Sequence, residues 1–217
     1  GPYPGSGQLH GNGSMRILIL GGSKSGKSML AQRLAKGLAA GNKLYYWATM
    51  EPTDSEDDAR VARHRRERAG WGFETVEQGK NLPTALPFID AAGTVLFDSI
   101  TAALACEMFS ADGVDQTAWQ RLCRDLLSAS VHPSNFVCVC DEVFRDGMEF
   151  DPLTEDYRRG LALVCRKAAA EFDLVLEVAA GLPHFWKGAD EYGKMVGRLL
   201  HGLGNVPGDP QSPAPVE

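Results

Sequence analysis

Hydrophobic positions along the chain fall into two spacings. Largely apolar runs of strand length occur at 16–20, 43–49, 93–98, 135–140 and 174–179, with a shorter, more polar candidate at 73–76. Between them, apolar residues recur three and four positions apart, as in Leu30, Leu34, Ala35 and Leu38. The first spacing predicts strands buried on both faces and the second predicts amphipathic helices. Helices are expected after the first run and over 54–69, 100–109, 118–129, 154–171 and 192–201, with a short one at 82–90 interrupted by Pro87. Segment 110–115 reads as a polar turn and 146–152 as a loop. Strands alternating with helices imply a mainly parallel sheet covered by helices on both faces, with ligands at the carboxyl ends of the strands.

The first predicted strand runs directly into Gly21-Gly22-Ser23-Lys24-Ser25-Gly26-Lys27-Ser28, and a helix follows. The spacing G-x-x-x-x-G-K-S between a strand and a helix is that of a phosphate-binding loop, or P-loop. Its glycines let the backbone curl so that successive N–H groups, with the helix N-terminus, point at an anion. Residues 21–28 are therefore the candidate nucleotide-binding loop, with Lys24 and Ser25 touching phosphate through the backbone. Lys27 is expected to reach the β- and γ-phosphates, and Ser28 to offer its hydroxyl to Mg²⁺. The fold class expected is α/β and P-loop NTPase-like.

A length of 217 residues suits one such domain, expected over 15–201. Segment 1–14 is rich in Gly, Ser and Pro and precedes Met15, so it is expected to be a disordered leader. Segment 202–217 contains four prolines and is expected to be a disordered tail. A net charge of −6 argues against a general nucleic-acid or membrane-surface binder, because either needs a broad basic field. No apolar stretch approaches the ~20 residues needed to span a bilayer. The five cysteines include no C-x-x-C spacing, which argues against structural zinc and a disulfide framework and points to the cytoplasm.

Positive charge is instead concentrated in the expected helix 54–69, whose one sizeable apolar residue is Val61. Such a helix buries little surface of its own. Arg60, His64 and Arg68 lie at i, i+4 and i+8, which makes a cationic stripe with one imidazole in it. One reading is a solvated surface helix held by charge pairs such as Asp57 with Arg60. The other is that Arg60, Arg63, Arg65 and Arg68 bind nucleotide phosphates and His64 attacks one of them. Neighbouring positive charge disfavours imidazolium and keeps the ring neutral and nucleophilic.

Three stretches in order carry a resemblance: the loop 21–28, then Tyr45-Tyr46-Trp47-Ala48-Thr49, then Arg60-Val61-Ala62-Arg63-His64-Arg65-Arg66-Glu67-Arg68 followed by Trp71. Together they resemble the bifunctional adenosylcobinamide kinase and adenosylcobinamide-phosphate guanylyltransferase family of cobalamin biosynthesis. Looser similarity continues through Leu96-Phe97-Asp98-Ser99-Ile100-Thr101 and Asp141-Glu142-Val143 to about Pro183. The resemblance implies two reactions on adenosylcobinamide: phosphorylation by ATP or GTP, then transfer of GMP from GTP through a guanylylated His64. Lys27 and His64 are then the catalytic residues, and a homo-oligomer, a trimer among relatives, is implied. The chain departs from the family at Asp141, where the family carries asparagine, and over 144–152.

Asp98 and the Asp141-Glu142 pair each follow an apolar strand, where the Mg²⁺-side carboxylate of a P-loop protein sits. The resemblance favours Asp98 and Glu142, beside Ser28, as the metal residues. Thr49 is expected either to contact nucleotide from the end of the second strand or simply to end that strand. His132 and His184 read as structural. A P-loop kinase of other specificity would need Lys27 and dispense with His64; a GTP-binding regulatory protein would turn over no cobinamide.

Overall fold

The computed structural model describes residues 14–22, 24–50, 59, 62, 65–66, 68–141 and 152–201. Its strands are β1 (Met15–Gly21), β2 (Leu44–Ala48), β3 (Phe73–Glu77), β4 (Thr94–Asp98), β5 (Phe109–Ser110), β6 (Gly113–Val114), β7 (Asn135–Asp141), β8 (Leu174–Ala179) and β9 (Leu182–Lys187). All but β5 and β6 form a seven-stranded sheet of order β3-β2-β4-β7-β1-β8-β9. Neighbouring strands in it are parallel except β8 with β9. The helices are α1 (Lys27–Ala39), α2 (Ile100–Met108), α3 (Ala118–Val131), α4 (Pro152–Glu171) and α5 (Ala189–His201).

The apolar runs became strands because both faces of the sheet are covered. Ile17 and Ile19 of β1 join Leu96, Val137 and Val139 in a core closed by α1 and α5. Leu18 joins Trp47, Phe97, Phe136 and Cys138 in a second core closed by α2, α3 and α4. Each fully buried side chain of this size contributes roughly 1.5–3 kcal/mol, so these two layers dominate the stability. The alternation of period two thus sends successive residues of one strand to different cores.

Four details differ from the sequence reading. The strand at 174–179 is not the last: β9 follows through the Ala180-Gly181 turn and pairs antiparallel with β8. Residues 110–115 hold most of a small hairpin made by β5 and β6. The segment Leu82–Phe88 is a 3-10 helix, tightened around Pro83 and Pro87. Helix α5 begins at Ala189, with Asp190 and Glu191 in its first turn, where the helix dipole favours them. The five cysteines are free thiols, and the Cys140 and Cys165 sulfurs lie 3.1 Å apart. Among the described residues no helix is long and apolar enough to cross a membrane.

Parallel strands all deliver their carboxyl ends to one edge of the sheet. Gly21, Ala48, Asp98 and Asp141 therefore come together there, with Gly21 opposite Asp141 and Ala48 opposite Asp98 in the strand registers. Strand β7 is inserted between β1 and β4.

Candidate nucleotide-binding site

The loop between β1 and α1 is built as its sequence requires. Gly26 sits at φ 93° and caps α1, its carbonyl accepting the Leu30 N–H at 3.2 Å. A Cβ there would come within 3.0 Å of Gly181 Cα, so the position excludes a side chain on two counts. The Gly181 N–H donates to the Ser25 carbonyl at 2.7 Å, which ties the loop to the β8–β9 turn. Ser25 Oγ accepts the Lys27 N–H at 3.3 Å, and Lys24 is exposed with φ 61°.

Lys27 is buried, and its ammonium faces Asp141 Oδ1 at 2.6 Å and the Gly22 carbonyl at 3.3 Å. Asp141 is itself positioned by its backbone N–H, which donates to Thr101 Oγ1 at 2.8 Å. Ser28 Oγ accepts a hydrogen bond from Gln32 Nε2 at 3.4 Å, one turn along α1. At the end of β4, Asp98 Oδ2 accepts a hydrogen bond from the Tyr46 hydroxyl. Burial, reinforced by the Asp98 carboxylate, pushes the Tyr46 phenol far above the ordinary tyrosine range. The Arg68 guanidinium lies 3.4 Å above the centre of the Tyr46 ring, a cation–π contact at a desolvated position.

Positions 59, 62, 65, 66 and 68 are helical, and of these only Arg68 is buried. That is the pattern expected of a stretch with little apolar surface. Its end is anchored instead: Trp71 is fully buried, and its carbonyl accepts from Lys36 Nζ at 2.6 Å, fastening it to α1. Arg65 pairs with Glu77 of β3 at 2.8 Å, both side chains being well exposed. Arg65, Arg68, Gly72, Phe73 and Thr75 help to wall an open cavity of about 530 Å³.

The structure thus brings together Gly21, Gly22, Lys24, Ser25, Gly26, Lys27, Ser28 and Asp98, and seats Arg65 and Arg68 on the stretch that leads into β3. Ser23, Arg60, Arg63, His64 and Glu142 lie outside the described residues. Thr49, expected either to contact nucleotide or simply to end the second strand, lies in the interior just past β2. It has no exposed surface; its hydroxyl donates to the Ser99 carbonyl at 2.8 Å and accepts the Ser99 N–H at 2.7 Å. That pair of bonds holds the end of β2 to the start of α2. His132 Nε2 lies 2.8 Å from the Ile89 carbonyl, and His184 packs edge-on against Trp186.

Two residues of the candidate site are ranked low by the sequence. Tyr46 reads there as one of several strand aromatics, although its parity with Ala48 places it on the face that α1 covers. Asp141 ranks behind Glu142 there, although the residue ending an apolar run beside the P-loop strand stands opposite Gly21.

A parallel α/β sheet with a strand–loop–helix that presents Lys27 between Gly22 and Asp141 defines a P-loop nucleotide-binding protein. The sequence profile of the family described as cobinamide kinase / cobinamide phosphate guanyltransferase matches residues 17–185, and the chain belongs to that family. Over 89 residues it is 43% identical to the bifunctional adenosylcobalamin biosynthesis protein CobP of Pseudomonas aeruginosa, a match covering 40% of this chain and 49% of that protein. The matched stretch thus spans about half the length of that relative. Among solved structures, the P4 protein from bacteriophage phi6 in complex with ADP superposes with a TM-score of 0.43 at 15% identity, covering 79% of this chain and 54% of that one. A KaiC-like protein from the hyperthermophilic archaeon Pyrococcus horikoshii superposes with a TM-score of 0.37 at 16% identity, covering 76% and 71%.

Proposed function

We propose that the chain phosphorylates adenosylcobinamide and then guanylylates the product. In the first reaction the hydroxyl of the aminopropanol arm attacks the γ-phosphorus of ATP or GTP, and the nucleoside diphosphate leaves. In the second, neutral His64 attacks the α-phosphorus of GTP and pyrophosphate leaves. The phosphate installed on the corrinoid then displaces GMP from the imidazole, which gives adenosylcobinamide-GDP.

The observation that carries this reading is the buried Lys27 ammonium at the P-loop, in a chain whose family is described by both reactions. Phosphoryl transfer depends on positioning and charge neutralisation. The loop's N–H groups and Lys27 supply both for the β- and γ-phosphates. Arg60, Arg63, Arg65 and Arg68 are assigned to the nucleotide phosphates, and the cavity beside Arg65 and Arg68 offers room for an anionic group.

The donor set suits Mg²⁺. The groups at this edge are hard oxygens, and no cluster of three His, Cys, Asp or Glu side chains occurs among the described residues. An ion held by one or two carboxylates, with substrate phosphates completing its shell, needs no larger cage. Ser28, Asp98 and Glu142 are the residues we assign to it; the ion supplies neutralisation of the transferred phosphoryl oxygens. Tyr46 and Arg68 keep the Asp98 carboxylate oriented.

We place the enzyme in the cytoplasm as a homo-oligomer, in keeping with a basic stretch that buries little surface of its own. The test is incubation with adenosylcobinamide and γ-labelled ATP or GTP. Label is expected to move to the corrinoid and to be lost in K27A; a corrinoid that stays unlabelled with either donor contradicts the kinase half.

A further inference from the structure

At the end of β7 a carboxylate occupies the lysine that the triphosphate needs. Lys27 is the group expected to reach the β- and γ-phosphates, yet here its ammonium is closed between Asp141 Oδ1 and the Gly22 carbonyl, with only a tenth of its side chain exposed. The carboxylate is not there by accident of a loose side chain. Its backbone N–H is held by Thr101 Oγ1, Thr101's own carbonyl accepts from the Tyr157 hydroxyl at 2.8 Å, and the strand register fixes Asp141 opposite Gly21. The Asp141 side chain is 42% exposed, so the pair sits at the mouth of the loop and not in the core.

We propose that Asp141 is a displaceable counter-ion of Lys27 that makes nucleotide binding depend on a divalent cation. An incoming triphosphate must take the ammonium away from the carboxylate and then stand beside a negative charge. Both effects oppose binding when the nucleotide arrives without a metal ion. When it arrives with one, the cation's positive charge would offset the repulsion between the phosphates and the carboxylates of this edge. Asp141 thereby selects the metal-bound nucleotide, which is the form that phosphoryl transfer uses. The inference rests on the nucleotide-binding part of the proposed function and on neither the corrinoid nor His64.

The test is calorimetric titration of ATP and GTP into the full chain, wild type and D141N, once in EDTA and once in excess Mg²⁺. D141N keeps the shape of the side chain and removes its charge; D141A, measured in parallel, removes the acceptor altogether. Thermal melts without nucleotide establish that each variant is folded. Both variants are expected to bind metal-free nucleotide roughly 2- to 5-fold more tightly than wild type, the scale of removing one half-exposed opposing charge. The ratio of affinity with Mg²⁺ to affinity in EDTA is expected to shrink by at least the same factor. A purely structural role for Asp141 would weaken binding under both conditions. Affinity in EDTA that is unchanged, weaker or still unmeasurable in D141N overturns the proposal. A wild-type chain that binds no nucleotide even with Mg²⁺ overturns the nucleotide-binding reading itself, which separates the two failures.

Discussion

The Tyr46 hydroxyl donates to Asp98 Oδ2, which couples an aromatic ring of one strand to the carboxylate that ends its neighbour. Arg68 completes the arrangement over the face of the ring. The three residues link the basic stretch after residue 58 to the edge of the sheet where phosphate chemistry is expected.

Removing that hydroxyl in Y46F takes one donor from Asp98 in a half-buried setting and is expected to cost about 1–3 kcal/mol of stability. It also has a signature in pH. Burial first, and the Asp98 charge second, raise the Tyr46 phenol above its ordinary value. A raised phenol contributes stability that is fully present below the unfolded value of about 10 and is lost as pH climbs from there toward the folded value. Thermal melts across alkaline pH should therefore show a steeper loss in wild type than in Y46F. Equal slopes would contradict the coupling.

Gly26 is the loop position with least tolerance. Its φ of 93° and the approach of Gly181 mean that G26A must both strain the backbone and push the β8–β9 turn away. A stability loss of roughly 1–3 kcal/mol is expected, since the left-handed conformation is costly for alanine and the clash is with backbone. Nucleotide affinity, measured by titration with Mg²⁺, is expected to fall at least tenfold in a variant that still melts cooperatively.

Thr49 supplies a contrast. T49V keeps the shape but strands the Ser99 N–H in the interior, at about 1–3 kcal/mol, while the Ser99 carbonyl keeps the Ala103 N–H at 3.0 Å. T49S restores most of that stability, because it retains the hydroxyl. Nucleotide affinity is expected to remain within about twofold of wild type in T49S, as the hydroxyl is wholly committed to Ser99. A large affinity loss in T49S with unchanged melting would return Thr49 to the nucleotide contacts.

The strand–loop–helix from Met15 to Ala39 was legible because three signals agree there: an apolar run, glycines where the backbone must turn, and helical spacing afterwards. The two-core sheet was legible for the same reason, since continuous apolar runs have few other uses in a chain with no bilayer-length segment. Strand β9 was not, because its sequence Leu182-Pro183-His184-Phe185-Trp186-Lys187 carries a proline and exposes Leu182 and Trp186, so its alternation describes an edge strand with only one face covered. Asp141 was hidden by its neighbour: two adjacent carboxylates end one strand, and only strand register distinguishes the one that meets Lys27. Tyr46 was hidden by its surroundings, a run of aromatics in which the polar end of one ring turns out to hold a carboxylate.

Whether His64 carries GMP between two half-reactions is decided by trapping the covalent adduct. The full chain is incubated with α-labelled GTP and Mg²⁺, denatured, and assayed for label bound to protein. The expected result is an acid-labile, alkali-stable adduct that is absent in H64A and K27A and is discharged from wild type by adenosylcobinamide phosphate. Label that survives in H64A, or an unlabelled wild-type protein that nonetheless forms adenosylcobinamide-GDP, would contradict the covalent histidine route.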